Sequence, residues 1–176
     1  MFIRPLEKTA VFTLKQELSY AEVLKKIEYY SEILGSMVDQ RVLIISENRP
    51  EYIYSIYAVW KSGGTVTPVD YMSVNDEIAY IVNDCSPSAV FTSAKLLEKV
   101  KKAVAEAEKS VRIIVFEDIP QDKLERVPAP LDFDDRERTA LLIYTSGTTG
   151  DPKGVMLSFT NMQANLEKLA EAGPRD

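Results

Sequence analysis

Two hydrophobic patterns alternate along the chain. Short, continuous apolar runs are typical of strands that are buried on both faces of a parallel sheet. Such runs occupy residues 42–45 and 89–91, and residues 66–69 and 111–116 are predicted to form further short strands. Between them, apolar residues recur every three or four positions, as on the buried face of an amphipathic helix. The alternation of strand and helix with short connections predicts an α/β fold, in which helices flank a mostly parallel sheet with right-handed crossovers.

Sequence signals also predict where the helices begin and end. A serine or threonine followed three residues later by an acidic or amide side chain has the spacing of a capping box. The predicted caps are Ser19 with Glu22, Ser73 with Asp76, Ser93, and Thr160 with Gln163. Gly35 is expected to end the first helix, and Pro50 to lie in the first turn of the second. Residues 9–14 and Leu18 predict a short hairpin, and Pro68 is expected to interrupt its strand.

The pattern divides the chain into three parts. Residues 1–116 are predicted to form an α/β unit. Residues 117–138 are rich in proline and charge, and they predict an irregular connection back to the sheet. Residues 139–176 predict a strand, a polar loop, a second strand and a final helix.

Composition narrows the classes of function. The chain has 176 residues, a net charge of −6 and a pI near 4.9, which argue against a nucleic-acid-binding surface. It contains no histidine, which excludes imidazole catalysis by its own residues. Cys85 is the single cysteine and is expected to be a small buried residue rather than a nucleophile. Because no apolar run is long enough for a membrane span and no secretory signal is recognisable, we expect a cytoplasmic protein.

The loop between the last two predicted strands carries the candidate chemistry. Its glycines allow successive backbone N–H groups to converge on an anion, and its hydroxyl groups add uncharged donors. Lys153 adds a positive charge, so the set suits a polyphosphate. The candidate phosphate-binding residues are Thr145, Ser146, Gly147, Thr148, Thr149, Gly150, Lys153 and Gly154. The alternative is a polar surface hairpin loop without a ligand.

Two other phosphate-binding motifs do not fit this loop. A Walker A loop requires Gly-Lys-Ser/Thr after four spacer residues, whereas Gly147 is followed by four residues and then Pro152. A dinucleotide fingerprint requires Gly-x-Gly-x-x-Gly at the start of a helix. Gly147 and Gly150 lack the first glycine of that pattern, and a strand is predicted to follow them.

Residues 145–154, Thr-Ser-Gly-Thr-Thr-Gly-Asp-Pro-Lys-Gly, resemble the phosphate loop of the adenylate-forming enzymes. That superfamily contains acyl-CoA synthetases, adenylation domains of peptide synthetases and luciferases. Further segments resemble the superfamily in the same order along the chain. They are residues 18–23, 48–52, 63–69 and 77–85. One departure is Phe159, which stands where the family often has histidine after the loop, and we expect its ring to pack rather than to contact a substrate.

The resemblance implies the first subdomain of the N-terminal domain of an adenylate-forming enzyme. It favours the N-terminal fragment of an ATP-dependent, AMP-forming acyl-CoA synthetase, with a carboxylic acid such as a fatty acid and CoA as substrates. ATP and Mg²⁺ are the implied ligands of the loop, and Thr148 or Thr149 is the candidate Mg²⁺ ligand. No catalytic residue of the family falls within this chain.

The resemblance also implies that parts of such an enzyme lie outside the chain. The adenine- and ribose-binding segments and the C-terminal domain with the adenylation lysine are not in the sequence, so we expect the chain to be inactive alone. Apolar surface exposed in this way is expected to cause self-association. Two alternatives remain open: a stand-alone nucleotide-binding or interaction module without catalysis, and an adenylation domain that loads a carrier protein.

Overall fold

The computed structural model describes residues 3–107, 109–120, 130–133, 135–145 and 152–172. For residues 170–172 it describes the backbone only. The strands are β1 (Thr9–Phe12), β2 (Glu17–Ser19), β3 (Arg41–Ile45), β4 (Thr65–Val69), β5 (Ala89–Thr92), β6 (Arg112–Val115), β7 (Thr139–Thr145) and β8 (Lys153–Ser158). The helices are α1 (Tyr20–Leu34), α2 (Pro50–Lys61), α3 (Asn75–Cys85), α4 (Leu97–Glu106) and α5 (Phe159–Ala172). Two short 3₁₀ turns, Ala94–Leu96 and Phe116–Asp118, lie beside α4 and β6.

The main sheet of the described residues has the strand order β6-β5-β3-β4-β7-β8. Neighbours from β6 to β7 are parallel, and β8 pairs antiparallel to β7. The separate β1–β2 pair is the predicted hairpin before the first helix. The predicted α/β fold with a mostly parallel sheet is therefore confirmed, while the division at residues 116 and 138 stays a prediction.

Helices cover the sheet on both faces, which explains the continuous apolar runs. Along β3, Ile44 joins a core formed with α1 and α2, whereas its neighbour Leu43 joins a core formed with α3 and α4. In β5, Phe91 and Val90 divide in the same way. All four side chains are at most 1% exposed. Three layers result, with the sheet in the middle.

The first two helix starts follow the sequence signals. The Ser19 N–H donates to the Glu22 carboxylate at 2.7 Å, and the Glu22 N–H donates back to the Ser19 hydroxyl at 3.2 Å, so the capping box is confirmed. Gly35 follows α1 with φ of 77°, a conformation that favours glycine. Pro50 is the first residue of α2, where its missing N–H leaves no hydrogen bond unmade.

The predicted cap of α3 was wrong, whereas the predicted cap before α4 is confirmed in position but makes no capping hydrogen bond with its side chain. Helix α3 begins at Asn75, and the Val74 N–H donates to the Glu77 carboxylate at 3.2 Å, so the start lies one residue later than Ser73 with Asp76 would place it. Ser93 is the N-cap residue of the 3₁₀ turn that leads into α4, but its hydroxyl donates to the Glu47 carboxylate at 2.9 Å and accepts no hydrogen bond from the first turn.

The predicted cap of α5 was also wrong. The Ser158 and Asn161 side chains form the reciprocal pair, with the Asn161 N–H 3.2 Å from the Ser158 hydroxyl and the Ser158 N–H 3.0 Å from the Asn161 amide oxygen. The Thr160 hydroxyl instead donates to the Glu137 carboxylate at 2.6 Å. The helix begins two residues earlier than a cap at Thr160 predicted, because Ser158 satisfies the first turn.

Pro68 does not interrupt its strand, contrary to the prediction. It lies within β4 and is the registered partner of Ile44 in β3. On the other side, β4 is registered with β7 only at Val66 and Leu141. A short ladder on that side reduces the demand for the amide hydrogen that proline lacks.

Phe159 begins α5 and lies in an aromatic cluster, as expected from its sequence position. Its ring is 2% exposed and stacks on Phe133, with centroids 4.8 Å apart and planes at 11°. Trp60 meets it nearly edge-on at 5.3 Å, and the Arg138 guanidinium lies 5.2 Å from its centroid. The Trp60 indole N–H donates to the Ala140 carbonyl at 2.8 Å, which joins the cluster to β7. Phe159 therefore fixes the junction of β8 with α5.

Replacing Phe159 with alanine should destabilise the chain by about 3–5 kcal/mol, because a buried ring and its aromatic contacts are lost. Trp60 is the only tryptophan, so its fluorescence during urea unfolding measures the change. Leu169→Ala on the same helix is the matched control, since Leu169 is 61% exposed and should change stability by about 0.5 kcal/mol or less. Equal effects of the two substitutions would contradict the assigned packing.

Cys85 lies at the end of α3 and is 3% exposed, which confirms the expected burial. Burial raises the pKa of its thiol to about 11. Because the thiolate is the reactive form, alkylation of the folded chain at pH 8 should be about a hundredfold slower than that of a free cysteine. The rate with iodoacetamide tests this, and denaturant should restore the free rate. A native rate equal to that of free cysteine would contradict the prediction.

Candidate functional site

The candidate site begins where β7 and β8 meet the glycine-rich segment. Since β7 runs parallel to β4, its last residue, Thr145, lies at the carboxyl edge of the sheet, where open α/β sheets bind ligands. Lys153, the first residue of β8, is its registered partner. The Thr145 hydroxyl donates to the Lys153 carbonyl at 3.5 Å, which is long for a hydrogen bond. Both side chains are exposed, so both are available to a ligand.

Three of the eight predicted site residues are placed by the structure: Thr145, Lys153 and Gly154. The other five lie outside the described residues; they are Ser146, Gly147, Thr148, Thr149 and Gly150. The structure brings Thr145 and Lys153 together across the base of the loop, as the strand–loop–strand prediction requires. The phosphate-binding role of all eight, and the Mg²⁺-binding role of Thr148 or Thr149, stay predictions.

Gly154 has a packing requirement that the sequence did not indicate. A Cβ atom at this position would lie 2.9 Å from Leu142 Cδ1 and 3.4 Å from Tyr144 Cζ. Tyr144 is the registered partner of Gly154 on β7. The ring of Tyr144 thus lies close to the β8 backbone at Gly154, which has no side chain.

Tyr144 connects the hairpin to α3. Its hydroxyl donates a hydrogen bond to the Asp84 carboxylate, and it also interacts with the Cys85 thiol. Burial and the hydrogen bond to Asp84 raise the pKa of Tyr144, so the phenol stays protonated and remains a donor. Sequence reasoning assigned no role to Tyr144. The available signal was an aromatic residue directly before the loop and a glycine directly after its lysine.

A second polar group lies at the carboxyl ends of β3 and β5. The Glu47 carboxylate accepts the Ser93 hydroxyl at 2.9 Å and forms an ion pair with Lys95 at 3.4 Å. Although burial opposes it, hydrogen bonds from the Glu47 backbone, Ser93 and Lys95 lower the pKa of Glu47. Glu47 is therefore a fixed acceptor that already has donors.

Arg49 and Glu117 continue this group toward β6. The Arg49 guanidinium pairs with Glu51 at 2.8 Å and with Glu117 at 2.6 Å. The Glu117 carboxylate also accepts the Ala94 N–H at 2.8 Å. Although burial opposes it, the hydrogen bonds from Arg49 and Ala94 lower the pKa of Glu117. These charges compensate one another within the chain.

The two polar groups therefore differ in what they offer a ligand. Helices α2 and α4 leave β3 and β5 toward opposite faces, and the crevice between such strands is the usual ligand position in an open α/β sheet. Here Glu47, Ser93, Arg49 and Glu117 fill that end of the sheet with mutual contacts. At the end of β7, by contrast, Thr145 and Lys153 are both exposed to solvent.

Within the described residues, no group of three or more His, Cys, Asp or Glu side chains is arranged to hold a metal ion. In the same part of the chain, every helix is too short or too polar to cross a bilayer.

The sequence matches the family model of the AMP-binding enzyme over residues 3–176. A relative from Penicillium rubens, N-(5-amino-5-carboxypentanoyl)-L-cysteinyl-D-valine synthase, is 31% identical over 172 residues, which are 93% of this chain and 4% of that protein. A CoA ligase from Gibberella moniliformis is 29% identical over 139 residues, which are 78% of this chain and 23% of that protein.

Among solved structures, ATP-bound MatB from Rhodopseudomonas palustris superposes with a TM-score of 0.78 at 26% identity. The superposition covers 94% of this chain and 34% of MatB, so the chain spans about a third of that protein. The match extends along nearly the whole chain, and it includes both strands that flank the loop. The chain therefore belongs to the AMP-binding enzyme family, which is the adenylate-forming superfamily that its loop resembles.

Proposed function

We propose that the chain is the N-terminal part of an ATP-dependent, AMP-forming acyl-CoA synthetase and supplies its ATP phosphate-binding loop. The observation that carries this proposal is the pairing of Thr145 with Lys153 at the carboxyl edge of the sheet, with both side chains exposed. The hydroxyl- and glycine-rich residues 146–150 follow Thr145 directly, so their predicted donors start from a fixed point.

In the proposed reaction, a carboxylate oxygen of the acid attacks the α-phosphorus of ATP. The bond between the α-phosphorus and the bridging oxygen breaks, which gives an acyl-adenylate and pyrophosphate. Negative charge grows on the leaving pyrophosphate, and donors held in place around it lower the barrier. The Lys153 ammonium group, the Thr145 hydroxyl and the backbone N–H groups of residues 146–150 are the proposed donors.

The donor set also fits a magnesium nucleotide. Mg²⁺ prefers oxygen ligands and usually retains several waters beside the phosphates, so the protein needs to supply few ligands. The segment offers several hydroxyl oxygens besides the carboxylate of Asp151, and the hydroxyl of Thr148 or Thr149 is the proposed ligand. When bound, Mg²⁺ would neutralise part of the phosphate charge. Lys153 and the loop amides would still orient the pyrophosphate group.

The acceptor of the acyl group has two candidates. The CoA ligase relative supports CoA, whereas the peptide-synthetase relative at similar identity supports a carrier protein. A module that binds nucleotide without catalysis is the remaining alternative, because the chain spans only 34% of MatB. The complete polypeptide should be assayed for pyrophosphate exchange with fatty, aromatic and amino acids, and then for transfer to CoA. The proposed location of the complete polypeptide is the cytoplasm.

Replacing Lys153 with alanine in the complete enzyme should slow ATP–pyrophosphate exchange by about a hundredfold, because a positioned cation next to the leaving group is lost. Folding stability should change little, since the Lys153 side chain is exposed. The measurement is kcat for exchange beside the urea midpoint of the same variant.

Lys101→Ala is the matched control for this test. Lys101 is also exposed and pairs with Glu98 on its own helix, so its replacement should leave exchange unchanged. If Lys153→Ala exchanged pyrophosphate at the rate of the parent enzyme, the assignment of the loop would be wrong.

The 176-residue chain alone should also self-associate. Strand β8 is at the edge of the sheet, and Val155 and Met156 are 44% and 68% exposed. On α5, Leu166 and Leu169 are 53% and 61% exposed. An edge strand with apolar side chains is a template for pairing with a second copy.

Met156→Lys should therefore shift the association of the isolated chain to higher protein concentration, because a charge on an edge strand opposes pairing. Sedimentation equilibrium measures the association constant. Met72→Lys is the control, since Met72 is 73% exposed but lies away from β8 in the connection after β4. A clean monomer at millimolar concentration would contradict the prediction.

A further inference from the structure

We propose that Tyr144, Asp84 and Gly154 form an anchor that holds Thr145 and Lys153 in position for the phosphates of ATP. This inference rests on the proposed function. None of the three residues needs to touch the nucleotide. Tyr144 is the positioning residue, Asp84 is its hydrogen-bond acceptor on α3, and Gly154 is the residue of β8 against which the ring packs.

The first argument is the limited support of the hairpin by the rest of the sheet. The registered pairing of β7 with β4 is confined to Leu141 and Val66, whereas its pairing with β8 continues to Thr145 and Lys153. Beyond Leu141, the two strands therefore have each other as registered partners within the described residues. Since β8 is an edge strand with exposed side chains, burial gives this end of the hairpin little support.

The second argument is the contact that provides the missing support. The half-buried ring of Tyr144 crosses β8 at Gly154 and its hydroxyl donates to the Asp84 carboxylate. Hydrogen bonds from a hydroxyl to a carboxylate are short and strong. The bond therefore connects the last part of β7 to α3, a helix packed on the body of the sheet. Thr145 is the next residue along the chain.

The third argument is the fit of the ring to the missing side chain. A Cβ atom at Gly154 would lie 3.4 Å from Cζ and 3.5 Å from Cε1 of Tyr144, and 2.9 Å from Leu142 Cδ1. The Leu142 methyl group would have to shift to admit it, whereas the two Tyr144 atoms would lie at ordinary contact distance. The absence of a side chain at Gly154 therefore lets the Tyr144 ring and Leu142 pack directly against the β8 backbone.

The consequence for the reaction concerns placement. Groups that stabilise a leaving group act only when they are held where charge develops, and a displacement of about 1 Å can reduce the rate about a hundredfold. Thr145 and Lys153 face each other one position beyond the Tyr144–Gly154 pair. Loss of the Tyr144 hydroxyl should allow the Thr145 and Lys153 side chains to occupy a wider range of positions, while the aromatic ring stays packed in the core.

The test uses Tyr144→Phe, Asp84→Ala and the double variant in the complete enzyme. Each single variant should lower kcat for pyrophosphate exchange by about tenfold to a hundredfold. The double variant should be no slower than the singles, because one hydrogen bond is lost in all three. Asp84→Asn keeps an acceptor and should recover part of the rate. Multiplicative losses in the double variant would overturn the pairing of Tyr144 with Asp84.

A second measurement needs no nucleotide and uses the 176-residue chain. Trypsin cleaves after Lys153 only when the ladder around it opens, so the rate of release of residues 154–176 reports opening of the hairpin base. Tyr144→Phe should raise that rate severalfold. Tyr71→Phe, which removes a hydroxyl from an exposed ring, should not change it. Ile81→Val, which trims α3 in its buried face, controls for general loss of stability.

The two measurements separate failure of the anchor from failure of the proposed function. Unchanged exchange in Lys153→Ala would reject the proposed function, and with it any role for the anchor in ATP binding. Impaired exchange in Lys153→Ala together with normal exchange in Tyr144→Phe would reject the anchor alone. If Tyr144→Phe and Ile81→Val slowed exchange equally at equal urea midpoints, Tyr144 would have only a structural role.

Discussion

Adjacent residues of β3 pack against helices on opposite faces of the sheet, and this two-sided burial constrains where chemistry can occur. Leu43 and Ile44 are 1% and 0% exposed, so neither face of the central strands is free to hold a ligand. Polar groups are therefore displaced to the strand ends, where the backbone turns and can present donors. At the ends of β3 and β5 these groups satisfy one another, whereas Thr145 and Lys153 at the end of β7 are exposed.

The same burial explains how much of the fold could be predicted. Strands buried on both faces give continuous apolar runs, so β3 and β5 were recognisable from composition along the chain. The Ser19 cap was recognisable because its partner, Glu22, is three residues away. Strand order could not be predicted, because it depends on which face of the sheet each crossover helix covers. A short segment of sequence does not determine that face.

The side chains of two predicted caps bind elsewhere for a related reason. Ser93 and Thr160 have the right chemistry for capping, but carboxylates from distant parts of the chain, those of Glu47 and Glu137, take their hydroxyls. A capping rule considers only the residues that follow a helix start. Competition from 46 or 23 residues away becomes visible only once the tertiary structure has formed.

In the candidate site, too, local sequence features could be predicted, whereas contacts between distant residues could not. The composition of the loop predicted a phosphate cradle, and the positions of Thr145 and Lys153 at facing strand ends agree with the strand–loop–strand prediction. The link between Tyr144 and Asp84 spans 60 residues, so no local motif contains it. Gly154 belongs to both the local motif and the tertiary packing. It was predicted as part of a phosphate-binding motif, and a side chain at its position would also collide with Leu142.

Strand β8 connects these observations. It buries little surface of its own, yet it must present Lys153 at one end and enter α5 at the other. The far end is fixed by Phe159, whose ring is enclosed by Phe133 and Trp60. The near end is fixed by the contact of Gly154 with Tyr144. An exposed edge strand held at both ends can keep its register without a buried face, and it leaves its middle free for another surface to cover.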